Sequence, residues 1–107
     1  MDFSDLKTLI KPVRFDALRL DCDNYFEAVI LKEELAKLTV RLENFFGTPA
    51  WPSKERLSFS VQEKIRGFGG IMPGQTLYYR RKENDTVFAM LWPWKDGERV
   101  TVKIIQE

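Results

Sequence analysis

The sequence predicts an α+β fold in which an antiparallel β-meander, over about residues 76–105, packs against an amphipathic helix over about residues 32–46. After Gln75, three runs rich in aromatic and β-branched residues are separated by short polar turns, which is typical of a meander. Before it, apolar residues recur at the three- and four-residue steps of a helix: Leu31, Leu35, Leu38, Leu42 and Phe45. With 107 residues and an apolar fraction of 44%, the chain is expected to form a single domain, residues 1–107.

The segment before this helix has two interpretations. Asn24 and Glu27 can form a capping box that starts the helix early. Residues 25–31, however, are apolar on both sides of the chain, which slightly favours a second strand. In that case the segment completes a possible N-terminal β-hairpin over residues 13–31. The apolar alternation of its first strand shifts by one position, so a bulge is expected near Ala17.

Two short helices are expected elsewhere. Apolar residues at helical spacing predict one near residues 2–10, and Pro12 ends it. The second is predicted near residues 61–66, because Gly67 follows at the position of a C-terminal cap. The expected N-terminal caps are Ser4 or Asp5 for the first helix, and Ser60 with Glu63 for the second.

The last strand of the meander indicates how the sheet packs. Val100, Val102 and Ile104 alternate with more polar residues, so they share one face of the sheet. We expect that face to pack against the amphipathic helix and the other face to be partly exposed to water. The Asp96-Gly97 pair before this strand is typical of a hairpin turn.

The composition excludes several kinds of chemistry. The chain has no histidine, which removes Ser-His and Cys-His catalytic pairs and every zinc site that uses imidazole. Its single cysteine, Cys22, cannot form an internal disulfide and favours the reducing cytoplasm. There is no apolar run of membrane-spanning length, so a soluble protein without a membrane partner is expected. We therefore predict no catalytic residue, no metal and no cofactor, and an enzyme is the less favoured class.

The favoured function is a small non-catalytic protein-interaction or adaptor domain. Its candidate partner-binding residues are Phe68, Gly69, Gly70, Trp92 and Trp94. The glycines could allow backbone amides to approach a ligand, and tryptophans at a loop tip commonly anchor a partner. The alternative is structural: the glycines form a helix-to-strand turn and the tryptophans are buried at the end of the core. A protein partner is expected, and the pattern favours no particular oligomeric state.

The alternative function is nucleic-acid binding by a strand that carries aromatic and basic side chains. Its candidate residues are Tyr79, Arg80, Arg81 and Lys82. Aromatic rings beside cations on an open sheet can stack on bases and hold phosphates. A strand with one core tyrosine and a charged outer face explains the same pattern without a ligand.

Overall fold

The structure, a computed structural model, describes residues 2–53, 56–82 and 85–107, apart from the side chain of Lys82. These residues form three helices and one five-stranded antiparallel sheet, which confirms the predicted α+β class. In chain order the elements are α1 (Phe3–Ile10), β1 (Ala17–Asp21), β2 (Tyr25–Leu31), α2 (Lys32–Phe46), α3 (Phe59–Arg66), β3 (Thr76–Lys82), β4 (Asp85–Pro93) and β5 (Arg99–Gln106).

The strands lie in the order β1-β2-β5-β4-β3, and every neighbouring pair is antiparallel. The last three strands form the predicted meander. The segment with two interpretations is a strand, β2, and it pairs with β5 as well as with β1. The N-terminal hairpin and the C-terminal meander therefore join into one sheet, with β1 and β3 at its two edges.

Helix α2 has the predicted limits and begins directly where β2 ends. Leu31 occupies the N-cap position and offers no side-chain cap. The backbone N–H of Lys32 instead donates to the carbonyl of Glu98, at 2.7 Å, in the turn between β4 and β5. Gly47 ends the helix with a φ of +82°, a conformation that glycine adopts without strain.

Helix α1 has a different cap from the one expected. Asp2, rather than Ser4 or Asp5, is the N-cap residue. The Asp2 carboxylate accepts the backbone N–H of Asp5 at 3.0 Å, and the Asp5 carboxylate accepts the N–H of Asp2 at 2.8 Å. Asp5 thus completes a capping box that begins earlier in the chain.

The N-terminal hairpin begins at Ala17 rather than at residue 13. The chain first makes a further turn after α1, in which the N–H of Val13 donates to the carbonyl of Ile10 at 3.0 Å. The Val13 side chain is buried in the core and is not part of a strand. The irregularity expected near Ala17 lies between Leu18 and Leu20.

Helix α3 begins two residues earlier than predicted. Its N-cap is Ser58 rather than Ser60, and the Ser58 hydroxyl accepts the N–H of Val61 at 3.3 Å. Glu63 does not complete a capping box and pairs with Arg66 at 2.9 Å. Both serines satisfy the sequence preference for a cap, so that preference alone does not choose between them.

Alternate residues of β5 define two faces of the sheet. The first face, which carries Val100, Val102 and Ile104, packs against α1 and α2 in one apolar cluster, as expected. The second face carries Arg99, Thr101, Lys103 and Ile105. Around Ile105 it is covered by α3 and by irregular chain that includes Trp51, Leu57, Phe68 and Ile71. The candidate partner-binding residues all lie on this second side of the sheet.

Candidate partner-binding surface

Trp92 is half-buried on the second face of the sheet. It lies opposite Thr101 in the β4–β5 register. The ammonium group of Lys103 lies 3.9 Å from the centroid of its ring, which is a close cation–π contact. The indole N–H is buried and has no hydrogen-bond partner among the residues that the structure describes. Trp92 therefore contributes to the closure of the core and is a fixed part of the surface.

Gly69 contacts the edge of the Trp92 ring. A Cβ atom at Gly69 would lie 2.6 Å from Cη2 of Trp92, which is closer than packed carbon atoms approach. The φ of Gly69 is +106°, and that of Gly70 is +69°. Gly69 is thus required both for its backbone conformation and for the space that Trp92 fills.

The backbone amides of this loop already have partners. The N–H of Gly69 donates to the carbonyl of Arg66 at 3.2 Å, and that of Gly70 donates to the carbonyl of Ile65 at 2.9 Å. These bonds satisfy carbonyl groups at the C-terminal end of α3. The idea that the amides receive a ligand is therefore not supported for these two glycines. Their structural role is a helix-to-strand turn.

Trp94 is exposed but held in one position. Its backbone N–H donates to the carbonyl of Arg99, and its indole N–H donates to Oγ1 of Thr101, both at 2.8 Å. The guanidinium carbons of Arg19 and Arg99 lie 5.8 and 5.6 Å from its ring centroid. The side chain still exposes 37% of its surface. We name Trp92, Trp94, Arg19, Arg99 and Lys103 the tryptophan patch.

Carboxylates beside the tryptophan patch hold its two arginines. Glu27 accepts hydrogen bonds from the hydroxyl of Tyr25 at 2.6 Å and from Arg19 at 3.3 Å. The Tyr25 hydrogen bond is the main reason why the pKa of the Glu27 carboxyl is lowered, although burial opposes it. Burial, followed by the same hydrogen bond, raises the pKa of Tyr25. Arg99 donates to Asp96 at 2.8 Å.

A cleft of about 560 Å³ opens on the other side of Gly69. Apolar side chains of α3, the Trp51 segment and the loop after Gly70 form its floor, and two arginines lie at its mouth. Its lining residues are Trp51, Arg56, Leu57, Gln62, Ile65, Arg66, Gly69, Gly70 and Ile71. Main-chain hydrogen bonds in both directions between Trp51 and Leu77 hold the Trp51 segment against the edge strand β3. The volume is within the range of pockets that bind small ligands.

Phe68 is not part of the tryptophan patch. Its ring packs edge-on against Phe88, with the centroids 5.5 Å apart, and at 6.3 Å from the ring of Tyr25. It belongs to the apolar cluster under α3. Of the five candidate partner-binding residues, Gly69 and Trp92 are in contact. Gly70 lines the cleft, Trp94 lies in the exposed part of the patch, and Phe68 closes the core.

The candidate nucleic-acid residues lie on both faces of β3. Tyr78 is buried against α2, while Tyr79 stacks on Phe88 with a centroid separation of 6.0 Å. The Arg80 guanidinium lies 4.7 Å from the ring centroid of Phe45, on the α2 side. Arg81 is exposed, and the side chain of Lys82 lies outside the described residues. The described aromatic and basic groups of this strand therefore do not share one surface.

Sequence reasoning found the tryptophans but missed the cations around them. Arg99 lies two residues before Thr101 in β5 and Lys103 two residues after it, so strand alternation could have placed both on the face of Trp92 and Trp94. No such signal exists for Arg19, because its position depends on how the N-terminal hairpin pairs with β5. The cleft was also missed, since irregular chain forms most of its wall.

The comparisons with protein-family models, curated proteins and solved structures gave no match for this chain. In the described ranges, no group of three or more histidine, cysteine, aspartate or glutamate residues is arranged to hold a metal ion. Within the same ranges, no helix is long and apolar enough to cross a membrane.

Proposed function

We propose that the protein is a small non-catalytic interaction domain that binds a protein partner through the tryptophan patch. The observation that carries this proposal is Trp94, a large aromatic side chain that is exposed and yet held in place. A hydrogen bond joins its indole N–H to Thr101, and the guanidinium groups of two arginines lie over its ring. The free cysteine, Cys22, is consistent with action in the cytoplasm.

The residue types of the tryptophan patch and the fixed positions of its side chains both favour binding. Tryptophan and arginine are the residues most enriched among those that dominate binding energy at protein interfaces. A side chain that is already fixed loses little conformational freedom when a partner covers it. The ion pairs of Arg19 with Glu27 and of Arg99 with Asp96 hold the surrounding polar rim in place. A partner that covers Trp94 would thus bury an ordered aromatic anchor inside a charged rim.

The test is affinity capture from a lysate of the source cells by the tagged protein, with Trp94→Ala and Val40→Ala assayed in parallel. Val40 is the matched control, because it is an exposed apolar residue on α2, on the opposite side of the sheet. We expect a stoichiometric protein that wild type and Val40→Ala retain and that Trp94→Ala loses. Circular dichroism of each variant checks that the fold is intact.

Half of each sample is treated with nuclease at matched, moderate salt. Loss of the captured material on treatment would contradict a protein interface and favour nucleic-acid binding through Tyr79, Arg80, Arg81 and Lys82. The contacts of β3 give that alternative less support, because Arg80 packs on Phe45 and Tyr79 packs on Phe88. Survival of the captured protein after nuclease is the result that we expect.

A further inference from the structure

The cleft beside Gly69 combines an apolar floor with a cationic mouth. Ile65 is fully buried at its base, while Trp51, Leu57 and Ile71 are half-buried and contribute to the walls. The side-chain amide of Gln62 donates to the carbonyl of Leu57 at 2.8 Å, which fastens the segment before α3 to the helix itself. The floor is therefore formed by side chains held in place by main-chain and side-chain hydrogen bonds.

The charged side chains that line the cleft, among the described residues, are those of two arginines. Arg56 is exposed and forms no ion pair with any residue in the described ranges. Arg66 pairs with Glu63 at 2.9 Å, but its side chain is 70% exposed, so water screens that pair strongly. None of the lining residues in the described part of the chain is acidic. A ligand that brings a carboxylate to this mouth meets attraction from Arg56, and it displaces no ion-pair partner of Arg56 among the described residues.

We propose that the cleft binds an extended segment of a partner protein in which an apolar side chain stands next to an aspartate or glutamate. The apolar side chain would occupy the floor between Leu57 and Ile71. The carboxylate would accept hydrogen bonds from the guanidinium group of Arg56, a geometry that arginine and carboxylate groups favour.

This inference rests on the proposed function and names the chemistry that the partner would present. Gly69 is a wall of the cleft and also touches Trp92 of the tryptophan patch. A partner that lies along the second side of the sheet can therefore cover Trp94 and place a neighbouring segment in the cleft. Because Trp94 does not line the cleft, the two contacts can be tested independently.

The experiment titrates the ¹⁵N-labelled protein with two capped dipeptides, acetyl-Phe-Glu-amide and acetyl-Phe-Gln-amide, at low salt. The peptides have nearly the same shape and differ in charge. We expect shifts of the amide signals of Gly69, Gly70 and Ile71. The glutamate peptide should bind about twofold to fivefold more tightly, the range expected of an exposed ion pair, and this preference should decrease as salt is added.

Arg56→Gln should abolish the preference for the glutamate peptide while it leaves binding of the glutamine peptide unchanged. Arg81→Gln is the matched control, since Arg81 is an exposed arginine on β3 outside the cleft, and it should keep the preference. Equal affinity of the two peptides for wild type, or shifts that lie outside the cleft, would overturn the inference. Tighter binding of 4-phenylbutyrate than of the glutamate peptide would also overturn it, because the site would then suit a free carboxylic acid.

The failure of this inference can be distinguished from the failure of the proposed function. Trp94→Ala should bind the glutamate peptide as wild type does. If the partner is lost by Trp94→Ala but neither peptide binds, only the cleft is assigned wrongly. If the peptide binds as expected but Trp94→Ala retains the partner, the tryptophan patch is not the interface.

Discussion

The two sides of the sheet are closed in different ways. On the first face, α1 and α2 place side chains at regular helical spacing over the alternating residues of β2, β4 and β5, and the result is one continuous apolar cluster. On the second face, a short helix and irregular chain cover only the part around Phe88 and Ile105. The rest of that face exposes Trp94, and the cleft lies within the cover, between α3 and the irregular chain.

Because of this difference, the main source of stability lies on the first face and the proposed binding residues lie on the second. The regular face buries residues such as Leu38 and Leu42 completely, and that burial is the main source of stability. On the irregular face a few specific contacts hold the aromatic groups, among them the approach of Gly69 to Trp92 and the hydrogen bond from Trp94 to Thr101. Binding residues commonly lie on loops that a rigid scaffold, such as a sheet, holds in position.

The largest expected effect compares truncation on the two faces. Leu38→Ala removes a fully buried side chain from the first face, and we expect it to lower the free energy of unfolding by about 2–5 kcal/mol. Leu57→Ala removes a half-buried side chain on the second side, and the expected loss is about 1 kcal/mol. Urea unfolding followed by circular dichroism measures both. An equal loss for the two variants would mean that the second side is as much a core as the first.

The next effect tests the contact between the glycine loop and the sheet. Gly69→Ala and Gly70→Ala both place a side chain at positive φ, which costs about 1–2 kcal/mol. Only Gly69→Ala also collides with Trp92, and overpacking adds about 1–3 kcal/mol. Gly69→Ala should therefore have the lower urea midpoint of the two.

A double-mutant cycle identifies the cause of that difference. Trp92→Phe shortens the ring that Gly69 touches, so Gly69→Ala should cost less stability in the Trp92→Phe background than in wild type. The Gly70→Ala variant is the control, because nothing lies within 4 Å of the position that its Cβ would take. If the cost of Gly69→Ala is the same in both backgrounds, the collision is not what makes this glycine necessary.

The smallest effect concerns pH and the carboxylate beside the patch. The hydrogen bond from Tyr25 lowers the pKa of Glu27 in the folded protein. A carboxyl whose folded pKa is lowered stabilises the fold above its unfolded pKa, about 4.3 for glutamate, and this stabilisation is lost as pH falls through the folded pKa. Tyr25→Phe should raise the pKa of Glu27 and so reduce the loss of stability in acid.

Urea unfolding across a series of acidic pH values, with the Glu27 carboxyl followed by NMR, measures this change. Tyr79→Phe is the control, because two strands lie between Tyr79 and Glu27 and the tyrosine that donates to Glu27 is Tyr25. An unchanged pKa of Glu27 in Tyr25→Phe would show that the neighbouring cations Arg19 and Lys103, and not Tyr25, hold the carboxylate in its charged form.

The sequence predicts the first face better than the second for a physical reason. Helix α2 and the strands of the meander follow from periodic burial, because a regular element repeats the same environment every few residues. For residues 25–31, which form β2, the sequence favours a strand over a helix only slightly, since a strand that is buried on both sides lacks that periodicity. Ser58 and Ser60 both fit a cap, and the choice between them depends on how α3 packs.

The candidate site depends on contacts that no local pattern contains. Trp92, Trp94 and Gly69 were found because tryptophan and glycine are informative residue types. The meeting of Arg19 with Trp94 requires a hairpin at one end of the chain to lie beside a turn at the other end. The cleft, similarly, requires the Trp51 segment to bridge to Leu77. Such long-range placement comes from the sheet as a whole.

The most direct test of the central claim is the affinity of the captured partner for Trp94→Ala and for Val40→Ala, measured side by side by calorimetry. If the second face is the interface, Trp94→Ala should weaken binding by about thirtyfold or more, the loss typical of a dominant interface residue, and Val40→Ala should bind as wild type does. Equal binding by the two variants, or a loss confined to Val40→Ala, would contradict the assignment of binding to the tryptophan patch.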